Sequence, residues 1–396
     1  MVNFLKKHKN IFIYGCDKAQ ILIEKYLHST DIEITGFISS SKPELNKPVF
    51  TVCEAKKLIE KRTLTNPKNH VTKDTCVIIS NEDYLINAAY EELKNYGFRE
   101  IYFMSEWNKR TIPYKMTPRK KENFWLEVNI VDHCNLNCQC CDHFSPIADE
   151  YFLDIEDFKR DIKRLSELMQ QEMGIFKIQG GEPTLHPQLI DFKRLTRKYF
   201  PKTVIFFFTN GILLPALENS QNGNLWQAMK DYDITLMVTT YPIKANYQKI
   251  DELAEKYNIK YERFTEIGKV NPQSAGKSKY YDKEIDKISV HHPFKLNGKV
   301  EKYQYISCYQ FNESITLRHG KIYTCPFIPY VDYFNKTFNQ DLKVTPDCYI
   351  DIYKAQNYDE IAQFCTQRTS FCSYCDIIKR NARKFAISKK EITEWT

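Results

Sequence analysis

Short apolar runs alternate with longer amphipathic segments along most of this 396-residue chain, and this alternation restricts the possible folds more than any other feature. Strands that alternate with helices form parallel sheets, because each parallel pair needs a long crossover connection. In the first hundred residues the pattern predicts strands at Ile11–Tyr14, Ile32–Ile38, Cys76–Ile79 and Ile101–Phe103. It predicts helices from Lys18 to His28 and from Asp83 to Tyr96. The fold class is therefore predicted to be α/β.

The first of these α/β segments, residues 1–112, resembles a small Rossmann-like domain. The dinucleotide-binding form of that fold needs glycines that let the backbone approach a pyrophosphate. Gly15 is present, but Asp17 and Gln20 occupy the places of the second and third glycines. The Asp17 carboxylate would also repel a phosphate. An α/β domain that binds no dinucleotide is therefore favoured.

The polar segment 114–123, which contains Pro118, is predicted to be a linker. The alternation then restarts, with strands predicted at Phe124–Val131, Ile175–Ile178, Val204–Phe208 and Ile234–Thr239. Helices are predicted at Asp154–Met173, with Gly174 as the stop, and from Pro187 to Phe200. Residues 122–290 are thus predicted to form an open or partial α/β barrel, whose chemistry lies at the C-terminal ends of its strands. Residues 291–396 are assigned to a third, smaller domain.

Composition predicts a globular protein of the cytoplasm. Hydrophobic residues make up 42% of the chain, and the net charge of +7 allows an anionic small substrate or a nucleic acid without selecting either. No apolar run approaches the roughly 18 residues that span a bilayer, and the first residues lack the apolar core of a signal peptide. No membrane partner is therefore expected. In the cytosol the 13 cysteines would stay reduced, and unpaired thiolates are often metal ligands.

Four cysteines lie within eight residues directly after the first predicted barrel strand. Cys134, Cys138 and Cys141 have the spacing Cys-x3-Cys-x2-Cys, and Cys140 precedes the last of them. Three thiolates on one loop can hold three irons of a 4Fe–4S cluster and leave the fourth iron open for a ligand. The same thiols could bind zinc or simply pack, and the spacing alone only slightly favours iron–sulfur.

The next two predicted strands also end in residues suited to binding a ligand. Gly180-Gly181-Glu182 follows one strand, and Thr209-Asn210-Gly211 follows the other. Glycines expose backbone groups to a ligand, and a carboxylate beside them can bind an ammonium group. Three consecutive strands of one sheet would thus bring ligand-binding residues to the same edge.

These motifs together resemble the radical S-adenosylmethionine (SAM) superfamily, over roughly Phe124 to Ile267 and, with the later cysteines, most of the chain. The resemblance implies that Cys134, Cys138 and Cys141 ligate a catalytic 4Fe–4S cluster whose open iron is chelated by SAM. It implies contacts to SAM from Gly180, Gly181, Glu182, Thr209 and Asn210. It also implies that residues 122–290 form a partial (β/α)6 barrel. It further implies hydrogen abstraction by a 5′-deoxyadenosyl radical, with a flavodoxin or ferredoxin as electron donor. The sequence departs from the family at Cys140, where an aromatic residue is common.

The later cysteines resemble the auxiliary-cluster extensions called SPASM and twitch. Cys308 and Cys325 flank a hairpin predicted to turn at His319-Gly320, and Cys372 and Cys375 form a Cys-x2-Cys pair. On chemistry alone these four thiols could also bind zinc. The further cysteine run of the full SPASM form is missing, so the twitch form with one auxiliary 4Fe–4S cluster is favoured.

The other cysteines receive weaker assignments. Cys348 and Cys365 are alternative ligands for the auxiliary cluster. Cys16, Cys53 and Cys76 lie near apolar runs and are predicted to be buried structural residues.

The favoured substrate is a carbohydrate or sugar nucleotide, changed by dehydrogenation or epimerisation. Twitch-type relatives include dehydrogenases of aminocyclitol alcohols, and the run Cys141–Pro146 resembles radical SAM proteins of surface-polysaccharide loci. The Rossmann-like unit is similar to accessory domains of sugar-modifying enzymes. In an epimerisation Cys140 could return a hydrogen atom, as could Cys348 or Cys365. His143 could remove a proton, although a structural histidine is an equally good interpretation.

Two alternatives remain open. One is a peptide-modifying radical SAM enzyme, but those relatives often carry a winged-helix domain that the first 110 residues do not resemble. The other is a zinc-stabilised nucleic-acid-binding protein, in which the Gly-Gly-Glu motif would have no role. A nucleic-acid partner is therefore disfavoured, and the identity of the metal separates this alternative from the other two.

Overall fold

A computed structural model describes residues 5–16, 20, 23–24, 27–28, 32–41, 43–62, 74–79, 86–103, 118–243, 245–265, 268–270, 288–300, 308 and 310–396. The chain divides into two compact units. Unit 1 contains Met1–Met116, Lys299–Tyr309 and Cys375–Asn381, and unit 2 contains Thr117–Gly298, Gln310–Tyr374 and Ala382–Thr396. The predicted helix Lys18–His28, the first residues of the helix predicted from Asp83, and residues 114–117 of the predicted linker lie wholly or largely outside the described residues.

Unit 1 contains a five-stranded parallel sheet of order β3-β2-β1-β4-β5. Its strands are β1 Asn10–Tyr14, β2 Gly36–Ile38, β3 Val49–Phe50, β4 Thr75–Ile79 and β5 Glu100–Phe103. Helices α1 Val52–Arg62 and α2 Ile86–Asn95 follow β3 and β4. Alternate side chains of β1 enter different apolar clusters, with Ile11 and Ile13 on one face and Phe12 on the other. A parallel sheet with both faces buried is the predicted Rossmann-like arrangement.

Unit 2 contains a nine-stranded sheet of order β11-β10-β9-β8-β7-β6-β13-β14-β15. Its first strands are β6 Trp125–Asn129, β7 Ile175–Gln179, β8 Val204–Thr209, β9 Ile234–Thr239, β10 Tyr261–Thr265 and β11 Gly268–Val270. Strands β6 to β10 are parallel, and β11 is antiparallel to β10. The connecting helices are α3 Ile155–Met169, α4 Leu189–Tyr199, α5 Leu225–Asp231 and α6 Tyr247–Tyr257. The predicted α/β class and partial barrel are confirmed.

The later part of unit 2 completes this sheet. Strands β13 Thr316–Arg318 and β14 Lys321–Tyr323 form the predicted hairpin, and β15 Tyr349–Asp351 pairs with β14. Strand β13 is parallel to β6, so the sixth parallel strand comes from the hairpin and not from a further βα repeat. Helices α7 Val331–Phe338 and α8 Tyr358–Cys365 follow, and β12 Ile288–His291 pairs with β16 Asn381–Lys384 in a separate two-stranded sheet. The predicted three-domain division stays a prediction.

Helix α3 begins as predicted but ends earlier. Asp154 caps it by accepting hydrogen bonds from the backbone amides of Glu156 and Asp157. The helix ends at Met169, with Gln170 in the left-handed region at φ 55°, and not at Met173 before Gly174. A Cβ at Gly174 would lie 2.3 Å from the Glu122 carbonyl oxygen. Gly174 therefore permits a close approach between two backbone segments and is not the helix stop.

A lysine lies inside the apolar core between α4 and β8. Lys193 is 0% exposed, and its Nζ, 3.3 Å from the centroid of the Phe207 ring, has no hydrogen-bond partner within the described structure. Burial holds the pKa of Lys193 well below its ordinary value, although the Glu182 carboxylate opposes this shift.

Lys193→Met is therefore expected to stabilise the protein by roughly 1–3 kcal/mol near neutral pH, because methionine fills the site without a polar group. The unfolded lysine is protonated up to a pH of about 10.4, whereas the folded lysine loses its proton at lower pH. The advantage of methionine should thus shrink as the pH rises toward that value. Urea unfolding at two pH values measures this, with the exposed Lys198→Met as control. A Lys193→Met variant that is less stable than the wild type at neutral pH would show that Lys193 makes a stabilising interaction in the core.

Candidate functional site

The predicted cysteine loop begins at the C-terminal end of β6. Cys134, Cys138 and Cys141 are all partly buried. The backbone amide of Leu136 donates to Cys134 Sγ at 3.4 Å, and Asn210 Nδ2 lies 3.8 Å from the same sulfur. Burial, together with the nearby charge of Glu182, raises the pKa of Cys134 to about 12. Metal binding to this thiol must therefore release a proton.

The two glycines after β7 are required by the packing of the backbone. A Cβ at Gly180 would lie 2.3 Å from the Val131 carbonyl oxygen, and one at Gly181 would lie 2.1 Å from that of His133. The Gly181 amide donates to Val131 O at 2.7 Å, and the Glu182 amide donates to His133 O at 3.1 Å. The glycines thus hold the segment that leads into Cys134.

Glu182 connects the ends of β7 and β8. Its carboxylate is 1% exposed and accepts hydrogen bonds from the Thr184 amide and hydroxyl, the Thr209 hydroxyl at 2.6 Å and the Asn210 amide at 2.9 Å. Burial raises the pKa of this carboxyl, although the hydrogen bonds oppose the shift. Four protein donors already use much of its capacity, and the predicted contact between Glu182 and SAM stays a prediction.

Asn210, from the motif Thr209-Asn210-Gly211, lies beside Cys134. Its Nδ2 donates to Asn135 Oδ1 at 2.8 Å and lies near Cys134 Sγ, while its Oδ1 accepts from the Ile212 amide at 3.0 Å. The residues predicted from three separate strands therefore meet at one edge of the sheet.

A buried ion pair supports the segment that leads into Cys134. No pattern in the sequence indicated this pair. Arg318 on β13 donates to both oxygens of Asp132, at 2.8 and 2.7 Å, and the Tyr333 hydroxyl donates to Asp132 Oδ2 at 2.6 Å. Bidentate arginine–carboxylate pairs fix geometry as well as charge. This pair holds the chain two residues before Cys134.

The two predicted catalytic side chains have different surroundings. Cys140, at φ 60°, is 8% exposed and lies near Arg383 and Glu394. Burial raises its pKa to about 11, although Arg383 opposes the shift. His143 Nδ1 lies 3.1 Å from Asp142 Oδ1, and its Nε2 lies 3.4 Å from Gln179 Nε2 and 3.8 Å from Glu127 Oε1. Burial alone would lower the pKa of His143, but Asp142, with Cys141 and Glu127, raises it well above its ordinary value.

The chemistry of the donors suits the predicted cluster, because three thiols on one loop can each bind a separate iron. Beside the third thiol, Cys141, Asp142 and His143 offer donor atoms that lie within 4.8 Å of one another in the described part of the chain.

The later cysteines are distributed over both units. Cys325 and Cys372 belong to unit 2, whereas Cys308 and Cys375 belong to unit 1, and the auxiliary cluster stays a prediction. The Cys348 sulfur lies 3.3 Å from Ser370 Oγ and 3.7 Å from Thr345 Oγ1.

Burial distinguishes the remaining thiols. Cys365 is buried in the apolar core of unit 2, and burial raises its pKa to about 12. Cys76 is fully buried, as predicted, but Cys16 and Cys53 are only partly buried.

A parallel α/β sheet with a three-cysteine loop and polar turns at the C-terminal ends of its strands defines a class of cluster-binding barrel domains. Residues 128–264 match the model of the Radical SAM superfamily. Enzymes of that superfamily use a 4Fe–4S cluster and SAM.

Curated relatives match only part of the chain. A GTP 3′,8-cyclase of Clostridium perfringens (strain 13 / Type A) is 30% identical over 110 residues, which are 26% of this chain and 32% of the relative. A GTP 3′,8-cyclase of Sulfurovum sp. (strain NBC37-1) is 31% identical over 94 residues, 23% of this chain and 28% of the relative. The chain thus spans about a third of the length of these relatives.

Two solved structures show a distant similarity. BtrN in complex with AdoMet and 2-DOIA is 18% identical, with a TM-score of 0.39 over 64% of this chain and 92% of that chain. Streptococcus suis SuiB bound to precursor peptide SuiA is 13% identical, with a TM-score of 0.30 over 73% of this chain and 75% of that chain. No helix among the described residues is long and apolar enough to cross a membrane.

Proposed function

We propose that this protein is a radical SAM enzyme that abstracts a hydrogen atom from a carbohydrate or sugar-nucleotide substrate, in a dehydrogenation or an epimerisation. The observation that carries the proposal is the meeting of three motifs at one sheet edge, where Asn210 approaches Cys134 and Glu182 joins β7 to β8. When bound, the cluster would supply the electron that cleaves SAM to methionine and a 5′-deoxyadenosyl radical. Cys134, Cys138 and Cys141 would hold three of its irons.

A polar array on the interior face of the sheet supports a polyhydroxylated substrate. Leu126, Val128, Phe176 and Ile178 pack in the apolar core, so the residues that alternate with them face the other side. In the parallel register Glu127 lies beside Lys177, Asn129 lies beside Gln179, and Thr316 of β13 lies beside Glu127. Three neighbouring strands thus present acidic, basic, amide and hydroxyl groups to one space.

Asn129 is the member of this array that most needs a ligand. It is 3% exposed, and within the described structure neither its Nδ2 nor its Oδ1 has a hydrogen-bond partner. A buried unpaired amide is costly, and a bound ligand that donates and accepts would remove that cost. A hydroxyl group does both.

Three other members of the array, Glu127, Thr316 and Lys177, interact with one another. Glu127 Oε1 accepts from the Thr316 hydroxyl at 3.0 Å, and Lys177 Nζ lies 3.9 Å from Glu127 Oε2. On β8, beside β7, Phe206 and Phe208 alternate with the core residues Ile205 and Phe207. Hydrogen-bonding groups beside aromatic rings match a sugar ring, which has polar edges and apolar faces.

The surroundings of the side chains favour dehydrogenation over an epimerisation that uses Cys140. In a dehydrogenation the carbon radical next to a hydroxyl loses one proton and one electron to become a carbonyl. Glu127 borders the array and is the candidate proton acceptor, and the proposed auxiliary cluster would take the electron. The raised pKa of His143 keeps its imidazole protonated near neutral pH, which disfavours the proton removal predicted for it. A flavodoxin or ferredoxin would supply the reducing electron for SAM cleavage. Cys140 lies instead near Arg383 and Glu394.

The test uses anaerobically reconstituted protein with SAM, dithionite and separate pools of sugar nucleotides, aminocyclitols, peptides and GTP. One carbohydrate should raise 5′-deoxyadenosine formation and either lose two hydrogens or change its stereochemistry. Stimulation by a peptide or by GTP alone would contradict the substrate class and leave the superfamily chemistry standing.

With that carbohydrate, Asn129→Ala is expected to raise KM about tenfold, the effect of one or two lost hydrogen bonds. Steady-state kinetics measure this, and Gln227→Ala, at an exposed position of α5, is the control. An unchanged KM would remove Asn129 from the substrate site.

A further inference from the structure

The cysteine loop contains three residues in a conformation that L-amino acids rarely adopt. Asn137, Cys140 and Phe144 have φ values of 55°, 60° and 55°. Each such residue other than glycine costs of order 1 kcal/mol and persists only where the surrounding structure fixes it. The cysteine loop therefore needs contacts from elsewhere in the chain that fix its conformation.

Residues 385–396, here called the brace, form backbone hydrogen bonds with the loop. The Gln139 amide donates to Ala386 O at 2.8 Å, and the Ser388 amide donates to Asn137 O at 2.8 Å. These two bonds flank an antiparallel bridge in which Cys138 lies opposite Ile387. Side chains of such a non-hydrogen-bonded pair lie close together on one face. Ile387, which lies opposite Cys138, is 52% exposed.

Trp395 anchors the brace beside the last cysteine of the motif. It is 1% exposed, and its indole N–H donates to the Cys141 carbonyl oxygen at 2.9 Å. Its ring packs near Phe144 and Phe338, each at a centroid distance of 5.8 Å, and its carbonyl accepts from the Phe294 amide at 2.7 Å. These contacts fix the position of the indole.

We infer that the brace is a positioning element, which holds Cys138 and Cys141 in place and covers the Cys138 side of the site they form. This inference rests on the proposed function in one respect, namely the identity of the group that the cysteines bind. The positions of the thiols themselves are set by the brace whether or not a metal is present.

Trp395→Phe tests this, because it removes the indole N–H and keeps an aromatic ring. Trp226→Phe is a matched control, since Trp226 is 0% exposed and its indole N–H donates to the Leu214 carbonyl at 3.1 Å, in α5 and away from the loop. The measurement is the rate at which iodoacetamide alkylates Cys138 and Cys141 in metal-free protein, read by mass spectrometry. We expect the alkylation rate of Cys141 to rise about fivefold in Trp395→Phe, the factor that corresponds to the loss of one hydrogen bond. In Trp226→Phe the rate should rise less than about twofold.

A second variant leaves the apolar core intact. Ile387→Ala removes exposed apolar surface and should raise the alkylation of Cys138, whereas Val204→Ala, at a 47% exposed position of β8, should not. In reconstituted protein Trp395→Phe and Ile387→Ala should also release iron to a chelator faster than their controls. Equal alkylation in variants and controls would overturn the inference. A wild type that binds no iron would instead overturn the proposed function, and the alkylation rates would still test the brace.

Discussion

Replacing Cys134, Cys138 and Cys141 together by alanine is expected to remove about four irons per chain and to abolish SAM cleavage, because no other thiolates of the loop have the spacing to hold the cluster. Iron and sulfide content and the electron paramagnetic resonance spectrum after reduction measure the loss. Cys53→Ala, at a partly buried position of unit 1, is the control and should keep the full iron content.

The same experiment tests the auxiliary cluster. If Cys308, Cys325, Cys372 and Cys375 hold it, about four irons should remain in the triple variant and should be lost when Cys372 and Cys375 are also replaced. Iron content unchanged by the triple replacement would contradict the assignment of the catalytic cluster. Zinc in place of the residual iron would contradict the auxiliary cluster alone.

Gly181→Ala is expected to destabilise the protein by about 3 kcal/mol and to lower both iron content and SAM cleavage at least about tenfold. The added Cβ would lie 2.1 Å from the His133 carbonyl oxygen and 2.5 Å from that of Asp132. Both are backbone atoms of the segment entering Cys134, and the buried Arg318–Asp132 pair resists their displacement. Denaturant unfolding and iron analysis measure the two effects.

Gly223→Ala is the matched control in the same unit. Gly223 has a φ of +100°, so alanine is strained there, but the nearest atom to its Cβ is the flexible end of the Ile190 side chain at 3.0 Å. We expect a loss of about 1 kcal/mol with normal iron content. If Gly181→Ala behaved like Gly223→Ala, the close packing of the two loops would not matter for the site.

The main elements and the candidate site edge were predictable from the sequence, because local patterns determine them. The apolar runs of β1, β4, β6, β7, β8 and β9 fix strands, and the motifs at Cys134, Gly180 and Thr209 follow three of them directly. The predicted end of α3 was wrong because a glycine after an amphipathic segment is typical of a helix stop. Gly174 instead lies beyond the helix, where it permits a close approach to the Glu122 backbone.

What could not be predicted depends on contacts between distant parts of the chain. Pairing of β13 with β6 joins Thr316 to Glu127, 189 residues apart, and no local pattern encodes it. The sequence contains polar residues at alternate positions of β6 and β7. The register between these two strands is what places Glu127 beside Lys177 and Asn129 beside Gln179. The brace is likewise invisible in sequence, since Trp395 and Cys141 are 254 residues apart.

The proposed radical SAM chemistry is tested most directly by asking whether the anaerobically reconstituted wild type converts SAM to 5′-deoxyadenosine and methionine when reduced. We expect equal amounts of both products, which should depend on the reductant and be absent from the protein that lacks Cys134, Cys138 and Cys141. A reconstituted protein that holds its full iron content and SAM but forms neither product under reduction would contradict the proposed chemistry.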